Sequence, residues 1–384
     1  MNRRPFIKSV AIGAPILSGP ILSANFNSSK KEIIKPNRLK AGDMISLIAP
    51  GGPVTEEKIL LAEKNIQNLG FKTKRSKNLD ARKKHTAGSD DQKIEDLHTA
   101  FSDTETKAIW CVRGGDGCNR LLTKLNYELI RNNPKPLIGF SDVTALHNAI
   151  FNMTGLIGFH GPIGAWDFSE YNVDQLKRVL FDSSSGHLIQ GTSRTSTIYE
   201  GISQGQLVGG NLSLMAAIAG TEYDNDYTGK IVFIEDVGEA PRRIDRMLTQ
   251  LTQASNLNRA NGIIFGEFDG CYDPYLKDSL EQELETHLLD LSKSIEFVTG
   301  GSYLQKLQDK LNEEIKSQHI RNRLLDDLKE TIFDRFLIDI DIPVLYDFPF
   351  SHDSSKEFCT FPVGIKVELN ATKKQVKFLE SPVV

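Results

Sequence analysis

Residues 44–70 have the sequence MISLIAPGGPVTEEKILLAEKNIQNLG, which predicts a buried strand, a glycine-proline turn and a helix. Ile59, Ala62 and Ile66 recur at helical spacing, acidic residues occupy the first turn, and Gly70 is placed to end the helix. This strand, turn and helix unit is the basis of the predicted fold.

The same pattern returns along the first half of the chain. The apolar runs AIWCV (108–112) and KPLIGF (135–140) each end in a glycine-rich or serine-bearing turn. Strands that alternate with helices predict a parallel sheet covered on both faces, with ligands beyond the carboxyl ends of the strands. We therefore predict an α/β protein whose N-terminal domain, 41–168, is flavodoxin-like or Rossmann-like and contains the candidate nucleophile.

A second α/β domain is predicted at 206–384, after a Ser-, Thr- and Gly-rich linker at 169–205 with at most one short strand. KIVFIED (230–236) and NGIIFGEF (261–268) have the composition of buried strands. A polar, amphipathic stretch at 272–339 predicts a helical insertion, interpreted as a hairpin packed on the domain or at a dimer contact rather than a coiled-coil arm.

The first 24 residues, MNRRPFIKSVAIGAPILSGPILSA, place Arg3 and Arg4 before a short apolar run, which resembles a twin-arginine export signal. The alternative is a floppy N-terminus with two chance arginines. Residues 25–40 are interpreted as a tether. We expect a periplasmic or otherwise exported protein without stable membrane insertion after processing, and a cytoplasmic location is the alternative.

The composition excludes several classes of protein. The net charge is −4 and the basic residues are not gathered in one stretch, so we expect no nucleic-acid partner. Beyond residue 30 no apolar segment is long enough to span a bilayer. The cysteines form no C-x-x-C pair, so neither zinc nor a redox motif is indicated, and we expect no metal and no cofactor. In an exported protein a disulfide is possible, but spacing alone does not choose its partners.

Ser141 lies in GFSDV, where a strand meets a helix. A serine at such a junction is either a helix N-cap or a nucleophile on a sharp elbow. The motif lacks the second glycine of G-x-S-x-G, so the local pattern alone favours the cap.

The turn VRGGDGCNRLL (112–122) has consecutive glycines that can aim N–H groups at an anion. Its spacing differs from a Rossmann fingerprint, and it has no Walker lysine. A tight turn without a ligand and an oxyanion-binding loop are equally compatible with it.

A nucleophilic serine needs a base and an acid that orients the base. His352 stands in a polar loop after an apolar run, whereas His147 and His160 are equally compatible with the core. Glu235 and Asp236 end a predicted strand, where an acid could also cap a helix or pair with an arginine of the next helix.

Six motifs occur in an order that resembles the LD-carboxypeptidase family of serine peptidases, which includes the microcin C self-immunity protein. They are RGGDGCNRLL, PKPLIGFSDVTALH, GFHGP, VGGNLSLMAAIAGT, IVFIEDVGEAPRRIDRMLTQL and GIIFGEF. The resemblance covers most of residues 40–270 and resumes at 342–370. It implies a Ser-His-Glu triad in which Ser141 is the nucleophile, Glu235 the acid and His352 the base.

The resemblance also implies an oxyanion hole made by the backbone N–H groups of Gly115 and Asp142. Arg113 and Gly114 are the candidate substrate-binding residues. Arg120 is an alternative ligand for a substrate carboxylate, with a structural role equally open. A homodimer is implied by the family alone.

The expected function is release of the terminal D-alanine from a murein tetrapeptide through an acyl-enzyme. One alternative is a microcin-immunity-type peptidase that cleaves aminoacyl or peptidyl nucleotides, with Tyr272 or Tyr275 stacking on the base. Another is a non-catalytic peptide- or sugar-binding protein. Asp116 and Ser351 depart from the family pattern, and both departures bear on the substrate more than on catalysis.

Overall fold

A computed structural model describes most of the folded chain. The described residues are 32–182, 184–283, 320, 322–324, 326–332, 336–337 and 341–384. The predicted export signal at 1–24 and the greater part of the predicted insertion at 272–339 lie outside them.

Six strands of the described chain form the first sheet, in the spatial order β12-β5-β4-β3-β1-β2. They are β1 (Met44–Ile48), β2 (Lys72–Arg75), β3 (Thr106–Cys111), β4 (Leu137–Gly139), β5 (Gly158–His160) and β12 (Phe361–Val363). The first five pair in parallel, and β12 joins antiparallel. Ile45, Leu47 and Trp110 are fully buried in it, as expected for a sheet covered on both faces.

Five helices follow the strands of this sheet within the described ranges. They are α1 (Glu56–Asn68), α2 (Asp90–Ser102), α3 (Tyr127–Asn132), α4 (Thr144–Thr154) and α5 (Glu170–Leu180). The predicted face of α1 is confirmed, because Ile59, Ala62 and Ile66 are buried. A capping box between Ser89 and Gln92 starts α2 by satisfying backbone N–H groups that have no partner inside the helix.

The second sheet has eight strands in the part of the chain that is described, in the order β6-β14-β13-β8-β9-β10-β11-β7. They are β6 (Leu188–Gln190), β7 (Ser196–Tyr199), β8 (Ile202–Asn211), β9 (Ile231–Val237), β10 (Gly262–Asp269), β11 (Val344–Tyr346), β13 (Lys366–Asn370) and β14 (Gln375–Phe378). The central strands β8 to β11 are parallel, and the outer strands are antiparallel. Its helices are α6 (Leu212–Ile218) and α7 (Pro241–Ser255). The mixed α/β architecture predicted from the sequence is thus present.

The predicted linker at 169–205 is wrong. This stretch contains α5, β6 and β7, and its strands form both edges of the second sheet. Leu176 and Val179 bury the apolar face of α5. Edge strands are half exposed, so the Ser and Thr content that suggested a linker is compatible with them.

The predicted tether at 25–40 does not hold for its described part. Leu39 is buried and its N–H donates to the carbonyl of Leu180, while Arg38 and Val384 join the two ends of the described chain by a backbone hydrogen bond. Ile34 forms a β-bridge with Leu156. Residues 32–39 therefore pack on the fold.

The segment between β11 and β12 positions the site. It leaves the second sheet after Tyr346 and enters the first at Phe361, which pairs with His160 of β5. His352 lies in this crossing. The crossing therefore brings His352 to the edge of the first sheet where β4 and β5 end.

Within the predicted insertion, residues 274–283 and the described fragments between 320 and 332 are helical. Leu280, Ile320 and Leu324 form a small apolar cluster with Tyr272 and Leu276. Among the described residues, no helix combines the length and the apolar character needed to cross a membrane.

Candidate active site

Ser141 stands on a sharp elbow between β4 and α4. A single 3-10 turn, Ser141–Val143, separates the strand from the helix, and Ser141 has a left-handed backbone with φ of +64°. A non-glycine residue held there costs about 1–3 kcal/mol, and such strain clusters at functional sites. The N-cap of the 3-10 turn is Phe140 and that of α4 is Val143, so the helix-cap interpretation of Ser141 that the local pattern favoured is wrong.

Two glycine pairs pack against this elbow. A Cβ on Gly114 would lie 2.8 Å from the Cβ and 3.0 Å from the Oγ of Ser141. Gly51 and Gly52 lie on the other side, where the N–H of Gly52 donates to the carbonyl of Gly114 at 2.8 Å. Gly115 has φ of +110°, and a Cβ there would lie 2.3 Å from the backbone nitrogen of Gly52. Only glycine permits this approach of two backbones beside the serine.

The first N–H groups of the elbow are available to a ligand. The N–H groups of Gly115 and Asp142 donate no hydrogen bond to other described residues. Helix N-termini and glycine turns with free N–H groups bind anions. The two predicted oxyanion donors therefore have backbone N–H groups without a partner among the described residues.

The Asp142 side chain ties the elbow to the glycine loop. Its Oδ2 accepts the N–H of Cys118 at 2.9 Å, and the residue is only 2% exposed. Burial disfavours the charged carboxylate and raises its pKa to about 6, although the hydrogen bond from Cys118 opposes this. The Asp142 side chain is therefore a structural link between the elbow and the glycine loop.

Glu235 and His352 form a direct pair across 117 positions of sequence. Nδ1 of His352 lies 2.6 Å from Oε2 of Glu235 at the end of β9. Glu235 is fully buried, and its Oε1 has no hydrogen-bond partner among the described residues. A buried carboxylate at this distance fixes the tautomer of the imidazole, with the proton on Nδ1 and the lone pair on Nε2.

The surroundings of His352 favour its charged form. Burial opposes protonation, but the attraction of the Glu235 carboxylate, with smaller contributions from Asp236 and Asp269, outweighs burial and holds the pKa of His352 above its ordinary value. Its Nε2 is buried and unpartnered within the described chain. The ring can thus accept a proton that the carboxylate then stabilises.

Among the described contacts no hydrogen bond joins Ser141 to His352, and the contact that relates them runs through Phe140. The ring of Phe140, adjacent to Ser141, meets the His352 ring with centroids 4.8 Å apart. Catalytic hydrogen bonds are often long before substrate binds. Phe140 was not singled out from the sequence, because an apolar residue at a strand end gives no functional signal.

Asp236, the neighbour of Glu235, has a different role. It accepts hydrogen bonds from the Nδ2 of Asn211 at 2.9 Å and the backbone N–H of Ser213 at 3.0 Å, at the start of α6. Burial raises its pKa to about 6, with repulsion from Glu235 adding to the effect. The two adjacent acids therefore have different partners: Asp236 binds the start of α6, and Glu235 binds His352.

The other two candidate histidines are core residues. His147 is buried on α4, and its Nε2 donates to the carbonyl of Gly139 at 2.9 Å. Burial lowers its pKa to about 4. His160 is also fully buried, among the rings of Phe140, Phe233 and Phe358, and burial holds its pKa well below the usual value.

The candidate arginines differ in their contacts. Arg113 donates one guanidinium hydrogen bond to the carbonyl of Pro53 at 3.0 Å and is partly exposed. Arg120 pairs with Asp90 at 3.0 Å, which is a structural role. The four cysteines are free and buried.

Asp269 is a contact of His352 that the sequence reasoning missed. Its Oδ2 accepts the backbone N–H of His352 at 2.8 Å. Asp269 ends β10, beside the strand that carries Glu235. Functional residues of a parallel sheet lie at the carboxyl ends of its strands. Asp269 follows GEF at the end of one such strand, as Glu235 follows FI near the end of the next, so this rule could have identified Asp269 from the sequence.

Two family models match this chain. The LD-carboxypeptidase N-terminal domain matches residues 45–161 and the LD-carboxypeptidase C-terminal domain residues 204–299, together more than half of the chain. The chain is similar to the probable murein peptide carboxypeptidase of Bacillus subtilis, with 38% identity over 266 residues that cover 67% of this chain and 83% of that protein.

It is also similar to the murein tetrapeptide carboxypeptidase of Pseudomonas aeruginosa, with 32% identity over 62% of this chain and 80% of that protein. The crystal structure of an MccF-like protein from Bacillus anthracis has a TM-score of 0.69 and 26% identity, covering 90% of this chain and 99% of that chain. By class, then, this protein is a peptidase. It belongs to the LD-carboxypeptidase family, which confirms the family predicted from the six motifs.

Proposed function

We propose that this protein is a serine-type LD-carboxypeptidase that releases the terminal D-alanine from a murein tetrapeptide. The observation that carries the proposal is the buried Glu235–His352 pair, with its free Nε2, beside a strained Ser141. The names of the two murein carboxypeptidase relatives support the substrate.

In this mechanism Nε2 of His352 takes the proton of Ser141 as its Oγ attacks the carbonyl carbon before the terminal D-alanine. The N–H groups of Gly115 and Asp142 hold the developing oxyanion, a contribution of about 3–4 kcal/mol for each donor. Glu235 stabilises the imidazolium. His352 then protonates the leaving amine of D-alanine, and the acyl-enzyme is hydrolysed by a water that His352 activates.

Arg113 and Gly114 are the proposed substrate-binding residues. Among the described residues Arg113 donates one guanidinium hydrogen bond, to Pro53, so its remaining donors can hold the carboxylate of D-alanine. Gly114 contacts Ser141 so closely that any side chain there would occupy the position of the substrate or of the serine.

The test is D-alanine release from purified tetrapeptide, followed by mass spectrometry. Ser141→Ala should lose activity by at least 10³-fold, because it removes the hydroxyl that forms the acyl-enzyme in this mechanism. Ser89→Ala is a matched control: it removes the cap of α2 and costs about 1 kcal/mol of stability while leaving the site intact. Undiminished release by Ser141→Ala would exclude the serine mechanism.

A second candidate, cleavage of aminoacyl or peptidyl nucleotides, is favoured by the likeness to the MccF-like structure. Tyr275, 80% exposed at the start of a described helix, offers an aromatic face for a base. Parallel assays with the tetrapeptide and with an aminoacyl adenylate analogue separate the two functions. Tyr275→Ala should reduce cleavage of the aminoacyl adenylate analogue and leave D-alanine release from the tetrapeptide unchanged.

Export is part of the same proposal. An enzyme that carries a twin-arginine signal would meet murein peptides outside the cytoplasm, and it would cross the membrane already folded. Cell fractionation of wild type and of a variant with Arg3→Lys and Arg4→Lys tests this. The variant should accumulate in the cytoplasm, and unchanged distribution would refute export by this route.

A further inference from the structure

The loop that carries His352 is attached to the second sheet by its backbone as well as by its ring. The N–H of His352 donates to Oδ2 of Asp269 at 2.8 Å, while the ring reaches Glu235. Asp269 ends β10 and Glu235 lies near the end of β9, two neighbouring parallel strands. The imidazole is thus held at two points on one rigid edge.

Lys356 closes the same loop four residues later. Its Nζ lies 2.7 Å from Oδ1 of Asp269 and also contacts Glu267, which in turn pairs with Arg194 at 2.9 Å. Asp269 therefore bridges His352 and Lys356, one through each carboxylate oxygen. The side chains of Lys356 and Glu267 are only 14% and 8% exposed, so this pairing is weakly screened by water.

We propose that Asp269 is a positioning residue for the catalytic histidine. The ion pairs of Lys356 with Asp269 and Glu267 hold the loop 352–356 in the conformation that places the histidine. The inference rests on the proposed function, because it assigns the base of that reaction. Neither residue contacts the reacting atoms. Their effect is to fix where Nε2 of His352 lies relative to Ser141.

The charged groups around His352 predict opposite electrostatic effects for the two residues. On β9 Glu235 faces it, and Asp236, turned toward α6, adds a second negative charge. On β10 it faces Asp269, on β5 the neutral His160, and Lys356 lies in its own loop. Removing the negative charge of Asp269 lowers the pKa of His352. Removing Lys356 leaves Asp269 uncompensated and raises it.

The experiment uses the full chain with the variants Asp269→Asn, Asp269→Ala, Lys356→Met and Lys356→Arg. Asp269→Asn keeps an oxygen for the N–H of His352, so kcat for D-alanine release should fall about 10-fold. Asp269→Ala removes both contacts and should reduce kcat about 100-fold, with KM changed less than threefold. Lys356→Met should reduce kcat, and Lys356→Arg should restore it.

Arg178→Met is the matched control, since it removes the cation of an exposed ion pair with Asp174 on α5. It should leave kcat unchanged. The ring of His352 is titrated by NMR in each variant without substrate. A lower pKa in Asp269→Asn and a higher pKa in Lys356→Met, both with reduced kcat, would support positioning.

Unchanged kcat in Asp269→Ala, or shifts of the His352 pKa in the same direction in both variants, would overturn it. A fall in kcat that only follows lost thermal stability would also overturn it. The NMR titration needs no substrate. Failure of the wild-type protein to release D-alanine would therefore count against the proposed function and leave the electrostatic arm of this test standing.

Discussion

Gly114→Ala tests whether the glycine loop sets the position of the nucleophile. Gly114 does not have a left-handed backbone, so alanine meets no conformational barrier there. Its new Cβ would, however, lie 2.8 Å from the Cβ of Ser141 and 3.0 Å from its Oγ. The conflict therefore falls mainly on the Ser141 side chain, with the carbonyl oxygen of Phe140 next at 3.2 Å.

The size of the effect follows from contact distances. Carbon atoms approach to about 3.5–4.0 Å, so Ser141 and the loop must separate by roughly 1 Å. Overpacking of this kind destabilises by about 1–3 kcal/mol. A displacement of about 1 Å at a reacting group reduces the rate by about 100-fold. We expect kcat/KM for D-alanine release to fall by that factor in a protein that remains folded.

Gly117→Ala is the matched control in the same loop. Gly117 has φ of +104°, so alanine there is strained by about 1–2 kcal/mol. Its Cβ would lie 3.2 Å from Nζ of Lys93, with side-chain atoms of Thr86 and Arg120 at 3.5 and 3.9 Å, and would not contact Ser141. The two variants should lose similar stability, measured by denaturant unfolding, but only Gly114→Ala should lose the greater part of its activity.

A Gly114→Ala protein that is folded by circular dichroism and keeps kcat/KM within threefold of wild type would refute a role for this contact in placing Ser141. Equal losses of activity in both variants would also refute it, because they would assign the effect to loop stability rather than to contact with Ser141.

Three further predictions follow from charge and burial. Glu235→Gln should reduce kcat by on the order of 10³–10⁴-fold. It should also move the acid limb of the pH profile of kcat/KM to lower pH, because the carboxylate no longer raises the pKa of His352. An acid limb at the wild-type pH would contradict this. The pKa of Asp142 is about 6 in the folded protein and 3.8 in the unfolded chain, so the wild type loses stability as the pH rises through this window. In urea unfolding, the free energy of unfolding of Asp142→Asn should therefore rise relative to wild type by up to about 3 kcal/mol between pH 4 and pH 7. A difference between the two proteins that does not change with pH would contradict this. Lys135→Met should cost about 2–3 kcal/mol in the same assay, because its ammonium donates to three backbone carbonyls where α2 ends, and an unchanged midpoint would show that those bonds are dispensable.

Much of the fold was predictable from local patterns. The strands β1, β3, β4, β9 and β10 and the helix α1 lie where apolar periodicity and turn residues indicated. The linker at 169–205 failed because Ser and Thr are tolerated both in loops and on edge strands, and only pairing with β14 and β11 distinguishes the two.

The candidate site was predictable in its residue types but not in its contacts. The local motif favoured a helix cap for Ser141, whereas in the structure Ser141 has a left-handed φ and other residues are the N-caps. Its strain depends on Gly114 and on the β4 to α4 turn together. Glu235 and Asp236 are indistinguishable as adjacent acids, and alternation along β9 turns one toward His352 and the other toward the start of α6.

The sequence by itself determined the order of elements, the glycine turns and the family, because each is encoded within ten to thirty consecutive residues. Tertiary structure alone decided that Glu235 meets His352 across 117 positions and that Asp269 holds its backbone across 83. These contacts depend on two sheets joined by the segment between β11 and β12. No local pattern contains that information, because the energy that fixes it comes from packing between elements distant in the chain.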